Sequence, residues 1–453
     1  MASEQNIVKF VCRTTIDAIP TSAIDLIKNQ VLAVLGTTIA GSYAEGCETV
    51  VSMAKEMGGK PEASILIHGG KVPAQTAAFA NGVMARALDF CDALAPGAHI
   101  GSAAIPAALA AAELAGGCSG ADFLVAVVIG TELAVRLNLG EIEYDGFDPT
   151  GVCVPFASTA AAARILGLNE EETWNALALA FNKCGGSFQA NVDGSLAVRV
   201  IEGWVAETGI TCARLASKGI TGPANFLEGI YGYSHIFGKD KMKPAGMAAG
   251  LGEEYKIRKL VFKKYPSCGL TQGSTDAILG LMSDEGFDAH DVERIRIIVP
   301  PYTYKLVGHP FQLGANPKVN AQFSIRYCVA NALVRKSSKL MHFEEEAIRN
   351  PEVLTLTEKV EVLSDPAMGQ RGHTPLDMHV FTRQGGEYVR KIDFVPGFPE
   401  KPLTANEHKM RFQDCLAFAA RPIPPVNAER ITETIHQLET INDVRDLIPL
   451  LTS

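Results

Sequence analysis

Ser102–Gly116, SAAIPAALAAAELAG, and Ala121–Leu137, ADFLVAVVIGTELAVRL, decide the fold class of this chain. Both look like membrane spans at first sight, but a span needs about 20 uninterrupted apolar residues. Glu113 interrupts the first, Gly116, Gly117, Ser119 and Gly120 separate it from the second, and the second carries Glu132 and Arg136. Both therefore read as helices buried within protein. Small residues on every face let neighbouring helices approach from all sides, as the inner layer of a multi-layer bundle requires. Ser119 stands at the N-cap position of the second helix. Pro106 lies near the start of the first, where a missing donor is absorbed most easily.

The helical signal extends on both sides of this pair, from about Thr21 to Lys264. VPAQTAAFANGVMARAL (Val72–Leu88) is rich in strong helix formers, and SLAVRVIEGWVAETGITCARLASKG (Ser195–Gly219) continues the pattern up to the turn at Thr221–Pro223. After Pro266 the texture changes. RIRIIVP (Arg294–Pro300) and EKVEVLSD (Glu358–Asp365) alternate polar and aliphatic residues as half-buried strands do. DMHVFTR and EYVRKIDF flank Gln384-Gly385-Gly386 as the arms of a hairpin. Between the strands, Phe323–Val334 (FSIRYCVANALV) returns to helix, and from Thr404 onward two amphipathic helices rejoin the first domain. The predicted fold is mostly α: a large all-helical domain built from both chain ends, residues 1–265 and 405–453, with a smaller α+β domain, residues 266–404, inserted between them.

A hydrophobic fraction of 47% and a charged fraction of 20% fit a compact soluble protein. A formal net charge of -9 argues against general nucleic-acid binding, because duplex affinity requires Lys and Arg to neutralise phosphates. The ten cysteines are scattered without a CxxC pair, which fits a reducing compartment better than a disulfide framework or a zinc site. MASEQNIVKFVCRTT lacks the apolar core of a secretory signal, so a cytoplasmic protein with no membrane partner is expected. No GxGxxG or P-loop pattern marks a nucleotide site.

Three segments carry candidate chemistry. ALDFCDALAPGAHIGS sets Asp89 and Asp92 at the end of one helix, and His99 in a loop that opens the next. A loop imidazole beside a helix N-terminus can meet a bound anion and exchange protons near neutral pH; the alternative is a solvent-exposed loop histidine with Asp89 as a cap. In LVFKKYPSCGLTQ, Lys263 and Lys264 offer cations for carboxylates at the expected domain junction, unless they form only a solvated face. Ser267, Cys268 and Gln272 add hydrogen-bonding groups there. Cys268 reads as an ordinary thiol rather than a nucleophile, with no histidine nearby. Third, Arg199 is surrounded by apolar residues in a largely apolar helix, and such a cation either pairs with a buried carboxylate or faces a substrate anion. Asp148 and Thr150 read as capping or turn residues. No set of ligands has metal-site spacing.

Taken together, ALDFCD…H with AAIPAALAAAE, FASTAAAARILGL, DGS before TGP, KKYPSCGLTQ, QFSIRYCVANAL and PGFPEKPLT resemble the MmgE/PrpD family over most of the chain. The family includes 2-methylcitrate dehydratases, cis-aconitate decarboxylases and iminodisuccinate epimerases. The resemblance implies a helical domain from both chain ends around a smaller α+β domain, a homodimer, and no metal or organic cofactor. It carries the family's acidic residue and loop histidine onto Asp89 and His99, the lysine of K-x-aromatic-Pro onto Lys263, and the tyrosine after F-S-x-x onto Tyr327. Elsewhere the chain departs: Asp148 stands where a decarboxylase-like pattern has histidine, Val198 where many members have lysine, Ala93 for threonine and Ile100 for proline. Cys268 stands where the decarboxylase has another histidine.

The implied function is a lyase acting on a small di- or tricarboxylate by proton transfer next to a carboxylate. His99, oriented by Asp89, would move the proton, and Tyr327 would act as second acid or donor. Lys263, Arg199 and Lys264 would hold carboxylates, with Ser267, Cys268 and Gln272 lining the substrate site. An epimerase or isomerase of a small dicarboxylate is the first alternative. An inactive polycarboxylate-binding relative, motivated by Asp148 and Val198, is the second.

Overall fold

A computed structural model of the chain describes residues 2–314, 316–372 and 374–452. The chain is mostly α-helical and divides into two compact units, Met1–Leu260 with His408–Ser453, and Val261–Glu407.

In the first segment of the larger unit the helices of eight residues or more are α1 (Ala2–Arg13), α2 (Thr21–Gly41), α3 (Cys47–Met57), α4 (Ala74–Arg86), α5 (Gly101–Leu114), α6 (Gly120–Leu137), α7 (Pro149–Ile165), α8 (Glu170–Phe181) and α9 (Ala197–Ala216), among the described residues. The Ser119 hydroxyl caps α6 by accepting from the Asp122 N–H at 3.0 Å. Asn169 and Glu172 form a reciprocal capping box on α8. α5 begins one residue before the expected start, so Pro106 falls in its second turn. Every residue of α5 from Gly101 to Ala112 is buried, against α4, α7 and α9 among others. α2 has the length and hydropathy of a span, yet most of it is buried in this unit, against α4, α5 and α6.

Glycines let α4 and α9 pack closely. A Cβ on Gly82 would stand 2.9 Å from the Glu202 carbonyl oxygen, and one on Gly203 would stand 2.8 Å from that of Phe79. The two backbones therefore meet where Glu202 leaves α9. Gly203→Ala is expected to destabilise the protein by about 1–3 kcal/mol, since the extra methyl must push the helices apart. An unchanged denaturant midpoint would contradict this packing.

The smaller unit contains α10 (Gln272–Glu285), α11 (Ile325–Arg335) and α12 (Pro351–Glu358), with strands β1 (Val292–Val299), β2 (Val360–Ser364), β3 (Leu376–Thr382) and β4 (Glu387–Ile392). The sheet order is β2-β1-β3-β4. β1 runs parallel to β2, with Ile295 opposite Val360, and antiparallel to β3, with Ile297 opposite Met378. β3 and β4 form the hairpin, and Gly385 takes φ +84° in its turn. Ile295, Ile297, Val299, Met378 and Val380 face a core that also holds Ala277, Ile278 and Leu281 of α10. α11 starts at Ser324, whose hydroxyl accepts from the Tyr327 N–H at 3.2 Å. The chain re-enters the larger unit within α13 (Ala405–Leu416), followed by α14 (Pro425–His436).

Candidate active site

α4 ends at Arg86, and Asp89 takes the left-handed conformation with φ +52°, which a short polar residue tolerates better than most. The chain then makes a tight hairpin: Leu94 and Ala98 exchange backbone hydrogen bonds at 2.7 and 2.9 Å around a cis Ala95–Pro96 bond. The hairpin returns the chain beside Asp92. Both Asp92 carboxylate oxygens accept from the Gly101 N–H, at 3.1 and 3.0 Å, and Gln30 of α2 donates to one of them at 2.8 Å. Asp92 thus fixes the start of α5 and the position of the residue two places earlier. Burial raises the pKa of its carboxyl, against these donors.

That residue is His99. It is only 7% exposed, which rules out the solvent-exposed loop histidine. Its backbone N–H donates to the Thr150 hydroxyl at 3.0 Å, and its ring Nδ1 lies 2.8 Å from the Asp92 carbonyl oxygen. A carbonyl only accepts, so Nδ1 carries a hydrogen and Nε2 is the basic nitrogen of the neutral ring. The Cys91 sulfur lies 3.3 Å from Nδ1. Nε2 faces Asp89 Oδ1 at 3.6 Å, an ion-pair distance. On its other side Asp89 Oδ1 meets Arg86 Nη1 at 2.9 Å. His99 and Asp89 are therefore brought together as expected, with Arg86 behind them.

Around this line lie more acids. Asp148 caps α7, accepting from the Thr150 N–H at 2.9 Å, and burial raises its pKa. Glu202 of α9 is fully buried, 3.9 Å from Arg86 Nε. Burial opposes the Arg86 cation, but the anionic groups around it, Asp89 first, outweigh it and raise the pKa of Arg86. Arg86 and Glu202 were missed in the sequence. Arg86 carried a legible signal, the single charge of an otherwise apolar helix, while Glu202 stands among apolar neighbours on α9 as Arg199 does. Arg199 itself points elsewhere. Its Nη1 donates to the Glu45 carbonyl oxygen at 2.5 Å, and its guanidinium lies beside Cys47, whose thiol burial pushes up to about 11.

The other expected residues belong to the smaller unit. Lys263 directly follows Val261–Phe262 and is buried. Lys264 is held between Asp276 and Glu407, each at 2.9 Å, and Asp276 also pairs with Lys401 at 3.0 Å. A substrate carboxylate at Lys264 would have to displace these acids. Gln272 clamps the intervening turn: it accepts from the Tyr265 N–H at 2.9 Å and donates to the carbonyl oxygens of Tyr265 and Ser267 at 2.9 and 3.1 Å. The Ser267 hydroxyl pairs with that of Thr271 at 2.8 Å. The Cys268 N–H donates to the Gln322 carbonyl at 3.0 Å. Tyr327 is fully buried between Phe311 and Phe343, and its hydroxyl donates to the His342 carbonyl at 2.5 Å. Burial raises its pKa, so the phenol stays protonated.

His342 itself is pushed down to about 4, first by burial and then by Arg335 and Lys339. It is neutral in the folded protein while an unfolded histidine takes up a proton near pH 6.5. Its contribution to stability is complete above that pH and is lost as pH falls from about 6.5 towards 4. Denaturant midpoints measured across this range should fall for the wild type and flatten for His342→Gln.

Among the described residues no three His, Cys, Asp or Glu side chains converge as metal ligands. The combination is a helical protein with a buried imidazole–carboxylate pair, suited to moving a proton on a small molecule. Residues 5–245 match the MmgE/PrpD N-terminal domain and residues 265–440 the MmgE/PrpD C-terminal domain. The chain belongs to the MmgE/PrpD family. It is 25% identical to the cis-aconitate decarboxylase-like protein oryM of Aspergillus oryzae over 456 residues, covering 96% of this chain and 94% of that protein. It is 26% identical to the cis-aconitate decarboxylase of Homo sapiens, over 84% of this chain and 80% of that one. The cis-aconitate decarboxylase of Mus musculus is 24% identical, over 94% and 88%.

Proposed function

We propose that the protein is a lyase of the dehydratase or decarboxylase type, acting on a small di- or tricarboxylate through proton transfer at a carbon next to a carboxylate. The observation that carries this reading is the His99 ring, with Nδ1 anchored on the Asp92 carbonyl and Nε2 turned to Asp89. The similarity to cis-aconitate decarboxylases supports the same class of chemistry.

In a dehydration, Nε2 takes the proton from carbon and the C–H bonding pair becomes an enolate-type carbanion. That pair then forms the new C=C bond as the C–O bond breaks, and the hydroxyl leaves as water after gaining a proton. In a decarboxylation the C–C bond to the departing CO2 breaks first, and imidazolium at Nε2 delivers its proton to the carbon that keeps the electron pair. Both directions use the same nitrogen, and the Asp89 carboxylate stabilises the charged ring in each.

Lys263, the lysine of the K-x-aromatic-Pro motif, is proposed to bind a substrate carboxylate. Lys263→Met should raise KM about 10–100-fold, the loss of one charge-assisted hydrogen bond. A KM unchanged from wild type would remove Lys263 from the role. The test of the function itself is incubation with a panel of di- and tricarboxylates that includes cis-aconitate, followed for CO2 and for new ultraviolet-absorbing alkenes. Conversion of at least one acid supports the lyase. Ligand-induced thermal stabilisation by some of them, with conversion of none, would overturn it in favour of a binding protein.

A further inference from the structure

The His99–Asp89 pair does not stand alone. Asp89, Asp148 and Glu202 lie close to one buried guanidinium, Arg86, while Asp92, near Glu202, has a second cation, Arg411, beside it. Arg411 is itself committed: it stacks on the Phe90 ring at 4.5 Å and donates to the Phe90 carbonyl at 2.7 Å. Four ionised carboxylates with two cations would leave two uncompensated negative charges in a low-dielectric interior, which favours the neutral form for the carboxyl with the weakest compensation.

Glu202 is the one. Its side chain is 0% exposed, and neither carboxyl oxygen has a hydrogen-bond partner among the described residues. The Ser102 hydroxyl of α5 lies near enough to act weakly on the Glu202 carboxyl, and it donates to the His99 carbonyl oxygen at 3.3 Å. Arg86 approaches Glu202 only to 3.9 Å, against 2.9 Å for Asp89. An ionised carboxylate would draw the guanidinium closer than that. Asp148 and Asp92, both acids, complete the surroundings of Glu202, and the Gly82–Gly203 contact holds it against α4.

We infer that Arg86 is the positioning residue of the His99–Asp89 pair, and that Glu202 backs it as a neutral carboxylic acid, so that the guanidinium charge is directed to Asp89. Burial, reinforced by Asp148 and Asp92 against the opposing pull of Arg86 and the Ser102 hydroxyl, pushes the Glu202 carboxyl well above the usual carboxylate range. Arg86 then has two effects on the catalytic pair. It fixes the Asp89 carboxylate against Nε2, and it partly offsets that carboxylate's charge, so that Nε2 is not locked as imidazolium and can both accept and release a proton. Arg86 thereby acts on the reaction through Asp89, without touching the reacting atoms.

The inference rests on the role proposed for His99, but its test needs no turnover. The His99 ring titration is read by nuclear magnetic resonance on histidine-labelled protein, with His99→Gln assigning the signal. Arg86→Gln removes the offsetting cation and should raise the His99 pKa by about one unit or more, while Arg86→Lys should return it towards wild type. Glu202→Gln should leave it within about 0.3 units, because a neutral acid is exchanged for a neutral amide. If Arg86→Gln does not fold, Arg86→Lys carries the reading: it keeps the charge on a more flexible arm that holds Asp89 less firmly, so its His99 pKa should rise by about 0.3 units or more, short of what loss of the cation would give. An unmoved or lowered His99 pKa in Arg86→Gln, or in Arg86→Lys where that variant stands in for it, would overturn the positioning role. A fall of about 0.5 units or more in Glu202→Gln would mean an ionised Glu202 and overturn the neutral acid. A protein that shows the predicted titrations yet converts no polycarboxylate would keep this inference and lose the lyase.

Discussion

Replacing the His99 imidazole, as His99→Ala or His99→Gln, should lower kcat about 10²–10⁴-fold, the range that a positioned proton-transfer group contributes. The size follows from geometry. Nδ1 is fixed by the Asp92 carbonyl at 2.8 Å, Asp92 is fixed by Gly101 and Gln30, and the ring is 7% exposed. A water molecule would have neither the basicity nor the fixed direction of Nε2. The substrate's carboxylate contacts would persist, so KM should change much less than kcat. Steady-state kinetics on whichever acid the panel identifies check this, and a kcat within threefold of wild type would remove His99 from the mechanism.

Glu132→Ala should cost the larger unit about 3–5 kcal/mol, the loss expected when one partner of a buried, hydrogen-bonded ion pair is removed. On α6, Glu132 and Arg136 pair at 2.5 Å, with both side chains at 1% exposure or less. Glu132 also accepts from the backbone N–H groups of Lys256 and Ile257, both at 3.0 Å. Arg136 donates to the carbonyl oxygens of Ala249 and Glu254 at 2.5 and 2.6 Å. One pair thus pins the irregular segment from Ala249 to Ile257, which has little regular structure to satisfy its own backbone. The alanine variant leaves a buried cation and two N–H groups without their acceptor. It should show a lowered denaturant midpoint, and proteases should cut first within that segment. Wild-type stability would show that water replaces the carboxylate at no cost.

Glu132 and Arg136 also mark the boundary of what the sequence discloses. In the sequence they are interruptions that forbid a membrane span; only the fold reveals them as a clamp on residues more than a hundred positions away. Local rules located the elements well where one chemical group decides. Ser119 caps α6, Asp148 caps α7 and the Gln384-Gly385-Gly386 turn closes the hairpin, as their residue types predict. His99 and Asp89 were legible because they sit ten residues apart in one loop. The ties of Lys264 to Glu407 and of Tyr327 to the His342 carbonyl were not. Such pairings depend on which helices and strands pack together, and periodicity carries no record of that. Arg86 and Glu202 fall between these cases: Arg86 is conspicuous as the lone charge of α4 and Glu202 as a carboxyl flanked by apolar residues, but their association depends on the glycine contact between α4 and α9.

The transfer of a carbon-bound proton through His99 is tested most directly by solvent deuterium. In heavy water the wild-type protein should place deuterium on the carbon next to a carboxylate, in recovered substrate or in product, and His99→Gln should lose that incorporation in proportion to its loss of kcat. Deuterium entering that carbon at the wild-type rate in His99→Gln would show that another group moves the proton.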